Sequence, residues 1–211
     1  MKPRTLLKKL LVLQRNYALT PRWIMTYERT INVQDRFLKK KVDYEDISIR
    51  EPLLEHVGHL PIIANFLYPH IEHKNSVDLG KALIMLSFHD IGETLVGDVL
   101  KYRKTKSHDK SEHKAARKLL DPFYFSYWQE YEERKTLTAK FAKSVDSIAP
   151  LLHELDNMPH TLNRFTHFKF GLQDIDKLKR PHFAWDKVLL AVFEEYLKIL
   201  RKAYNARELR A

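Results

Sequence analysis

Residues 86 to 98 read Leu-Ser-Phe-His-Asp-Ile-Gly-Glu-Thr-Leu-Val-Gly-Asp. An apolar run, Leu83 to Leu86, leads into His89 and Asp90, and two further carboxylates, Glu93 and Asp98, follow. Ionisable groups set this closely among apolar neighbours are costly to bury unless something pairs with them. A divalent metal would do so, and imidazole together with carboxylate suits Zn, Mn, Fe or Co better than Ca or Mg alone. On a helix, Glu93 stands four residues after His89 and three after Asp90, so all three can share one side. His89 and Asp90 themselves diverge by roughly 100° around the axis. They can flank one ion only near a helix end, where Gly92 would permit distortion. On the dipeptide alone, a buried polar plug at a helix end is the simpler reading, so the rest of the chain has to decide.

Outward from this stretch the pattern is helical. Asp78 opens a helix over 78–91 whose buried stripe is Leu79, Ala82, Leu83 and Leu86. Before it, residues 52–68 carry Leu53, Val57, Leu60, Ile63, Ala64 and Leu67, with Pro52 suited to a first turn and His56 within the pattern. Pro61 predicts a kink there. Residues 5–18 form a further amphipathic helix that Thr20-Pro21 ends, and Arg22-Trp23 follows at once. That pair reads either as a core Trp beside a surface Arg or as an Arg gripping phosphate beside an aromatic wall. Residues 24–50 are mixed and charged and read as an insert with a short helix near 30–40.

On the C-terminal side, residues 101–114 read as a charged mobile loop holding His108 and His113, and 112–120 resume a helix. The aromatic stretch Phe123 to Tyr131 predicts a short helix. Residues 136–156 predict a long one, with Leu137, Phe141, Val145, Ile148, Leu152 and Leu155 on one face and Asp146 beside that stripe. Pro150 cannot donate to the Asp146 carbonyl, so this helix is expected to kink at the acid. Residues 157–181 read as irregular, and a last long helix begins at 183. The expectation is an all-α bundle of about six or seven helices with no significant sheet, a single domain over 1–211 in which 24–50 are inserted and 183–211 form the C-terminal helix.

Composition narrows the function classes. The 211 residues include no Cys, which excludes disulfides, thiolate metal sites and Cys nucleophiles and suits a reducing, cytoplasmic setting. No apolar stretch reaches the length of a membrane span, and the N-terminal apolar run, Leu10 to Leu13, is too short for a secretion signal. The net charge of +10 attracts phosphate-bearing molecules. The basic clusters lack the interleaved aromatics of a single-strand binding platform, so nucleic acid is not the expected partner and the charge reads mainly as solvated surface with a substrate-steering effect. A homodimer is the quaternary arrangement considered. There is no Gly-rich phosphate loop, Ser-based nucleophile elbow or zinc-finger spacing.

Taken in order, His56, His89-Asp90 and Asp146 each fall on or beside an expected helix. This arrangement resembles the HD-domain metal-dependent phosphohydrolases, whose signature is H…HD…D. The resemblance implies that His56, His89, Asp90 and Asp146 ligate one divalent ion, with Mn, Co, Fe, Zn, Ni and Mg the candidates. Within that superfamily the chain looks most like the bacterial 5′-deoxynucleotidase branch, which has an Arg-Trp pair before the first His and then H-D-x-x-E-x-x-x-G-D. Here Arg22-Trp23 and His89 through Asp98 carry that pattern, from about residue 5 to 157 with the insert left out. The resemblance implies a 5′-nucleotidase in which Glu93 and Asp98 serve the reaction and Arg22, Trp23 and Asp98 bind substrate. Glu93 would orient water or shuttle a proton, Arg22 would hold phosphate, and Trp23 would wall the sugar.

Two departures bear on substrate. The Arg-Trp pair lies about twice as far from the first His as in the family, which the 24–50 insert accounts for. Thr94 stands where the guanosine-tetraphosphate hydrolase branch has a second acid, which counts against that branch. Two other readings remain: an HD hydrolase of another nucleotide or phosphate ester, guanosine tetraphosphate among them, and a noncatalytic nucleotide or nucleic-acid binding module. A second metal held by His108 and His113 is the minor variant.

Overall fold

The structure, a computed structural model, describes residues 3–25, 50–99, 104–156 and 158–208. Helix α1 (Pro3–Leu19) leads into strand β1 (Pro21–Met25), which pairs antiparallel with β2 (Arg50–Pro52), Pro21 facing Pro52 and Met25 facing Arg50 across an irregular register. Helices α2 (Leu53–Leu67) and α3 (Leu79–Phe88) follow, then a short turn of helix, α4 (Glu93–Val96). Next come α5 (Lys106–Leu119), α6 (Pro122–Glu133), α7 (Leu137–Asp156), α8 (Met158–His167), α9 (Leu172–Lys179) and α10 (Lys187–Glu208). The architecture is all-α apart from the small ribbon. No described helix is long and apolar enough to cross a membrane.

Local chemistry sets the boundaries. Asp78 caps α3 by accepting from the Lys81 amide at 2.9 Å, and Asp121 caps α6 by accepting from Phe123 at 3.0 Å with Pro122 in the first turn. The Asp186 carboxylate spans α10 and its neighbour. Its Oδ1 accepts from Val188 and Leu189, and its Oδ2 from the Glu72 amide at 2.7 Å. The last helix therefore starts at Lys187, four residues later than hydrophobic spacing predicts, because the cap rather than the apolar pattern fixes the start.

Helix α7 is the axis of the bundle. Phe141, Val145, Ile148 and Ala149 are buried in the main core, and the helix packs against α2, α3, α6, α8 and α10. It runs on through Pro150, as α2 runs on through Pro61. A second, smaller core of Tyr17, Leu53, Ile91, Ala116, Phe125 and Trp128 lies beneath the turn between α3 and α4.

Four expectations need correction. The 21–25 segment forms a two-stranded ribbon with 50–52. The helix expected over 112–120 begins already at Lys106, so 106–111 belong to α5 rather than to a mobile loop, because Thr105 and His108 build a reciprocal capping box at its start. Residues 158–167 and 172–179 form helices, where Pro159 and Gly171 had suggested irregular chain; both stand at or near helix starts. Leu152 is exposed rather than part of the α7 core face. The short helix expected near 30–40, and most of the 24–50 insert, lie outside the described residues.

Candidate metal centre and catalytic cavity

Three segments bring the proposed ligands together. Helix α2 carries His56 in its second turn, fully buried. The end of α3 delivers His89 and Asp90, and mid-α7 delivers Asp146. His56 Nε2 lies 3.2 Å from Asp146 Oδ1 and 3.7 Å from Asp90 Oδ2. His89 Nε2 lies 3.0 Å from Asp90 Oδ2 and 3.4 Å from Asp146 Oδ1. Ligand atoms about 2.0–2.2 Å from a common ion stand about 3.0–3.5 Å apart; three of these four distances fall in that range, and His56, His89 and Asp90 together could hold one ion.

His89 and Asp90 meet at one point because the helical register changes there. The amides of Ile91, Glu93, Thr94 and Leu95 each bond the carbonyl three residues back, at 3.0–3.2 Å. This tight turn eclipses side chains three apart and sets Glu93 over Asp90. Gly92 has ordinary helical angles, so it does not relieve backbone distortion as expected from the sequence. Its role is close approach, because a Cβ there would come within 2.6 Å of the Glu112 carbonyl oxygen on α5. Gly97 does need its freedom: its φ of 81° turns the chain into Asp98.

Neighbouring groups orient the ligands. His89 Nδ1 donates to the Leu86 carbonyl at 2.9 Å, which leaves Nε2 toward the cluster. The carbonyl of His89 itself accepts from Trp128 Nε1 at 2.8 Å, and Tyr17 bonds the Ser87 carbonyl at 3.0 Å, so two long-range contacts pin the turn. Asp146 Oδ2 accepts from Tyr131 at 2.9 Å and from Lys143 at 2.7 Å, which aims Oδ1 at the two imidazoles.

The electrostatics suit a cation. Burial disfavours charge on Asp90, but His89 and Arg22 hold its carboxyl far below the usual range. Burial also acts against Asp146, and Lys143 and His89 outweigh it. Burial and Arg22 push His56 down, so it is a neutral donor. Burial opposes charge on His89, yet Asp90 and Asp146 raise it to about 10. One imidazolium thus sits between two carboxylates, and His89 Nε2 is buried without a hydrogen bond of proper geometry. A divalent ion would take that proton's place.

Glu93 is buried, and burial together with Asp90 and Asp98 pushes its carboxyl well above the ordinary range. Arg22, Asp90, Glu93, Asp98 and Asp146 all open onto one cavity of about 330 Å³. Arg22 Nη1 is 3.7 Å from Glu51 Oε2, too long for a hydrogen bond, and its Nε and Nη1 are buried without partners. The side chain of Trp23 lies outside the described residues.

Glu51 gave no signal in sequence. It is fully buried on β2, accepts from His153 Nε2 at 2.9 Å and stands 3.8 Å from His56 Nδ1, so it joins Arg22 to a metal-facing histidine. Only the ribbon brings it there. Lys143, one helical turn before Asp146, was legible as an i, i+3 partner; Tyr131 was not. His108 serves the α5 cap, and His113 packs edge-on against Phe125 and Trp128, so neither joins the cluster.

Residues 36–182 match the HD domain family. A 5′-deoxynucleotidase from Dictyostelium discoideum is 31% identical over 102 residues, 43% of this chain and 54% of that protein. One from Xenopus laevis is 24% identical over 178 residues, 78% of this chain and 82% of that protein. The crystal structure of a predicted metal-dependent phosphohydrolase from Magnetospirillum magnetotacticum superposes with a TM-score of 0.71 at 26% identity, over 93% of this chain and 94% of that one.

Proposed function

Because this chain belongs to the HD domain family, we propose that it is a metal-dependent phosphohydrolase of nucleoside 5′-monophosphates that prefers the 2′-deoxy forms. One observation carries the reading: a donor set fit for one divalent ion, a guanidinium short of partners and a raised carboxyl share a single cavity. The relatives that are 5′-deoxynucleotidases support the choice of substrate.

His56, His89, Asp90 and Asp146 would hold the ion. When bound, it supplies Lewis acidity toward the phosphoryl group and the attacking water. Glu93 would orient that water and, once the ion's positive charge favours its ionised form, take a proton from it. Arg22 donates to the phosphoryl oxygens, whose charge answers the unfilled valences of its guanidinium. Asp98 accepts from the 3′-hydroxyl, and Trp23 walls the sugar at C2′. The products are a nucleoside and inorganic phosphate. Burying a 2′-hydroxyl unpaired costs about 1–3 kcal/mol, a preference of roughly 5- to 150-fold.

The test is phosphate release from deoxyadenosine 5′-monophosphate, adenosine 5′-monophosphate and adenosine 3′-monophosphate, with Mn²⁺ or Co²⁺ against a chelator control. The deoxy 5′-ester should turn over fastest and the 3′-ester not at all, since its phosphate would meet Asp98. Trp23→Ala should narrow the gap between the two 5′-esters. Equal rates on both in the wild type would remove the deoxy preference. Release from none, with metal bound, would overturn the nucleotidase reading in favour of another phosphate ester or a noncatalytic binding module.

A further inference from the structure

The cavity extends past the ligand cluster to a wall built by α8, the turn that follows it and α9, which Phe165, Phe168, Phe170, Leu178 and Lys179 line. Nearly every other cation lining the cavity is committed. Lys104 pairs with Glu112 at 2.5 Å, Lys143 with Asp146 at 2.7 Å, and Arg164 with Glu154, whereas Arg22, only 3.7 Å from Glu51, is the other cation short of partners. Exposed Arg134 turns its Nε back to the Glu132 carbonyl at the mouth. Lys179 has neither an ion pair nor a hydrogen bond among the described residues. It ends α9, and a helix C-terminus favours a cation, but a lysine lying in solvent would satisfy that end equally well.

We propose that Lys179 is a second anion-binding residue of this cavity, gripping the phosphoryl group of the substrate from the α9 wall while Arg22 holds it from the β1 side. The proposal rests on the phosphohydrolase reading of the same site. Lys179 is half-buried on the cavity wall, and a ligand anion there would give its ammonium the partner that the described residues do not. The surroundings agree. Burial pushes Lys179 down to about 8, with Asp146 and Glu154 holding it up and Lys143 and Arg22 repelling it. It therefore stands in the field of both Arg22 and the metal ligand Asp146. A dianionic phosphoryl group placed among Arg22, Lys179 and a divalent ion answers all three charges at once. The apolar side chains on the same wall lower the local polarity and strengthen such a contact.

The test uses metal-loaded full-length protein and inorganic phosphate as the probe. Phosphate binding is measured by calorimetry in the wild type, Lys179→Met and Lys179→Arg, beside metal content, melting temperature and the KM and kcat for deoxyadenosine 5′-monophosphate. Lys179→Met should weaken phosphate binding and raise KM by about tenfold or more, with metal content unchanged. Lys179→Arg should recover most of the loss, which a merely structural role would not predict. Should Lys179→Met fail to fold, Lys179→Gln carries the same comparison. Phosphate affinity within twofold of wild type in the uncharged variants would overturn the proposal, as would a wild type that does not bind phosphate. A wild type that binds phosphate but cleaves no monophosphate defeats the nucleotidase reading alone, and Lys179 is then judged on phosphate affinity.

Discussion

Glu93 shows how one residue acquires a role from its surroundings. Its carboxyl is shut from water between two other acids, so it resists ionisation, and it completes no contact in the ligand cluster. The proposed role is therefore proton transfer rather than coordination. Glu93→Gln keeps the size and one hydrogen-bonding oxygen but cannot take a proton. It should retain one metal per chain by elemental analysis and lose turnover by about 10²-fold or more. Near-normal turnover would move the base elsewhere. Asp146 shows the complementary case, an acid committed by its neighbours. Tyr131 and Lys143 occupy one oxygen and leave the other for the cluster.

At the scale of elements, the junction of α3, α4 and α5 decides whether the ligands converge. The i→i−3 bonding after Phe88 needs α5 close behind it, and Gly92 is the point of contact. Helix propensity alone favours Ala over Gly by about 1 kcal/mol, yet a Cβ at 92 would strike main chain that cannot rotate away. Gly58, inside α2, has nothing within 4 Å of the same virtual atom. The two alanine variants should therefore move in opposite directions. Gly58→Ala should gain about 0.5–1 kcal/mol, and Gly92→Ala should lose about 1–3 kcal/mol as overpacking. Thermal denaturation of both reads the signs directly. A stabilised Gly92→Ala would mean that α5 yields at no cost.

For the whole molecule, an ion held by the four proposed ligands would act as a cross-link. It would join α2, the α3–α4 turn and α7, three segments that are distant in sequence and adjacent only in the folded bundle. Binding free energy then becomes folding free energy. At a hundredfold excess over the dissociation constant it adds about 2.7 kcal/mol, or roughly 5–10 °C in melting temperature for a chain of this size. Chelation should lower the melting temperature by that amount and abolish activity together. His89→Ala and Asp90→Ala should each lose the metal and the chelator-dependent shift. Unchanged metal content in both variants would show that the ion sits elsewhere.

The sequence by itself determined the helical class, the positions of α2, α3 and α7, and the order His56, His89-Asp90, Asp146 that identified the candidate ligands. Apolar residues repeating at helical spacing and charges confined to a short apolar run are local signals, and local signals survive in one dimension. The first part of α5 was missed because its burial is slight: only Ala115 and Ala116, in the half the sequence did place, are buried, and capping rather than a hydrophobic stripe defines its start. Helices α8 and α9 were hidden behind Pro159 and Gly171, residues that punctuate chains but also start helices. Glu51 and Lys179 could not be found at all in one dimension. Nothing near either in sequence distinguishes it from a surface charge. Glu51 reaches the centre only through the pairing of β2 with β1, and Lys179 only through the packing of α9 around the cavity. Tertiary structure decided which charges gather at the ligand cluster and which line the cavity around it, because burial and opposing charge are properties of the space around a residue rather than of its neighbours in the chain.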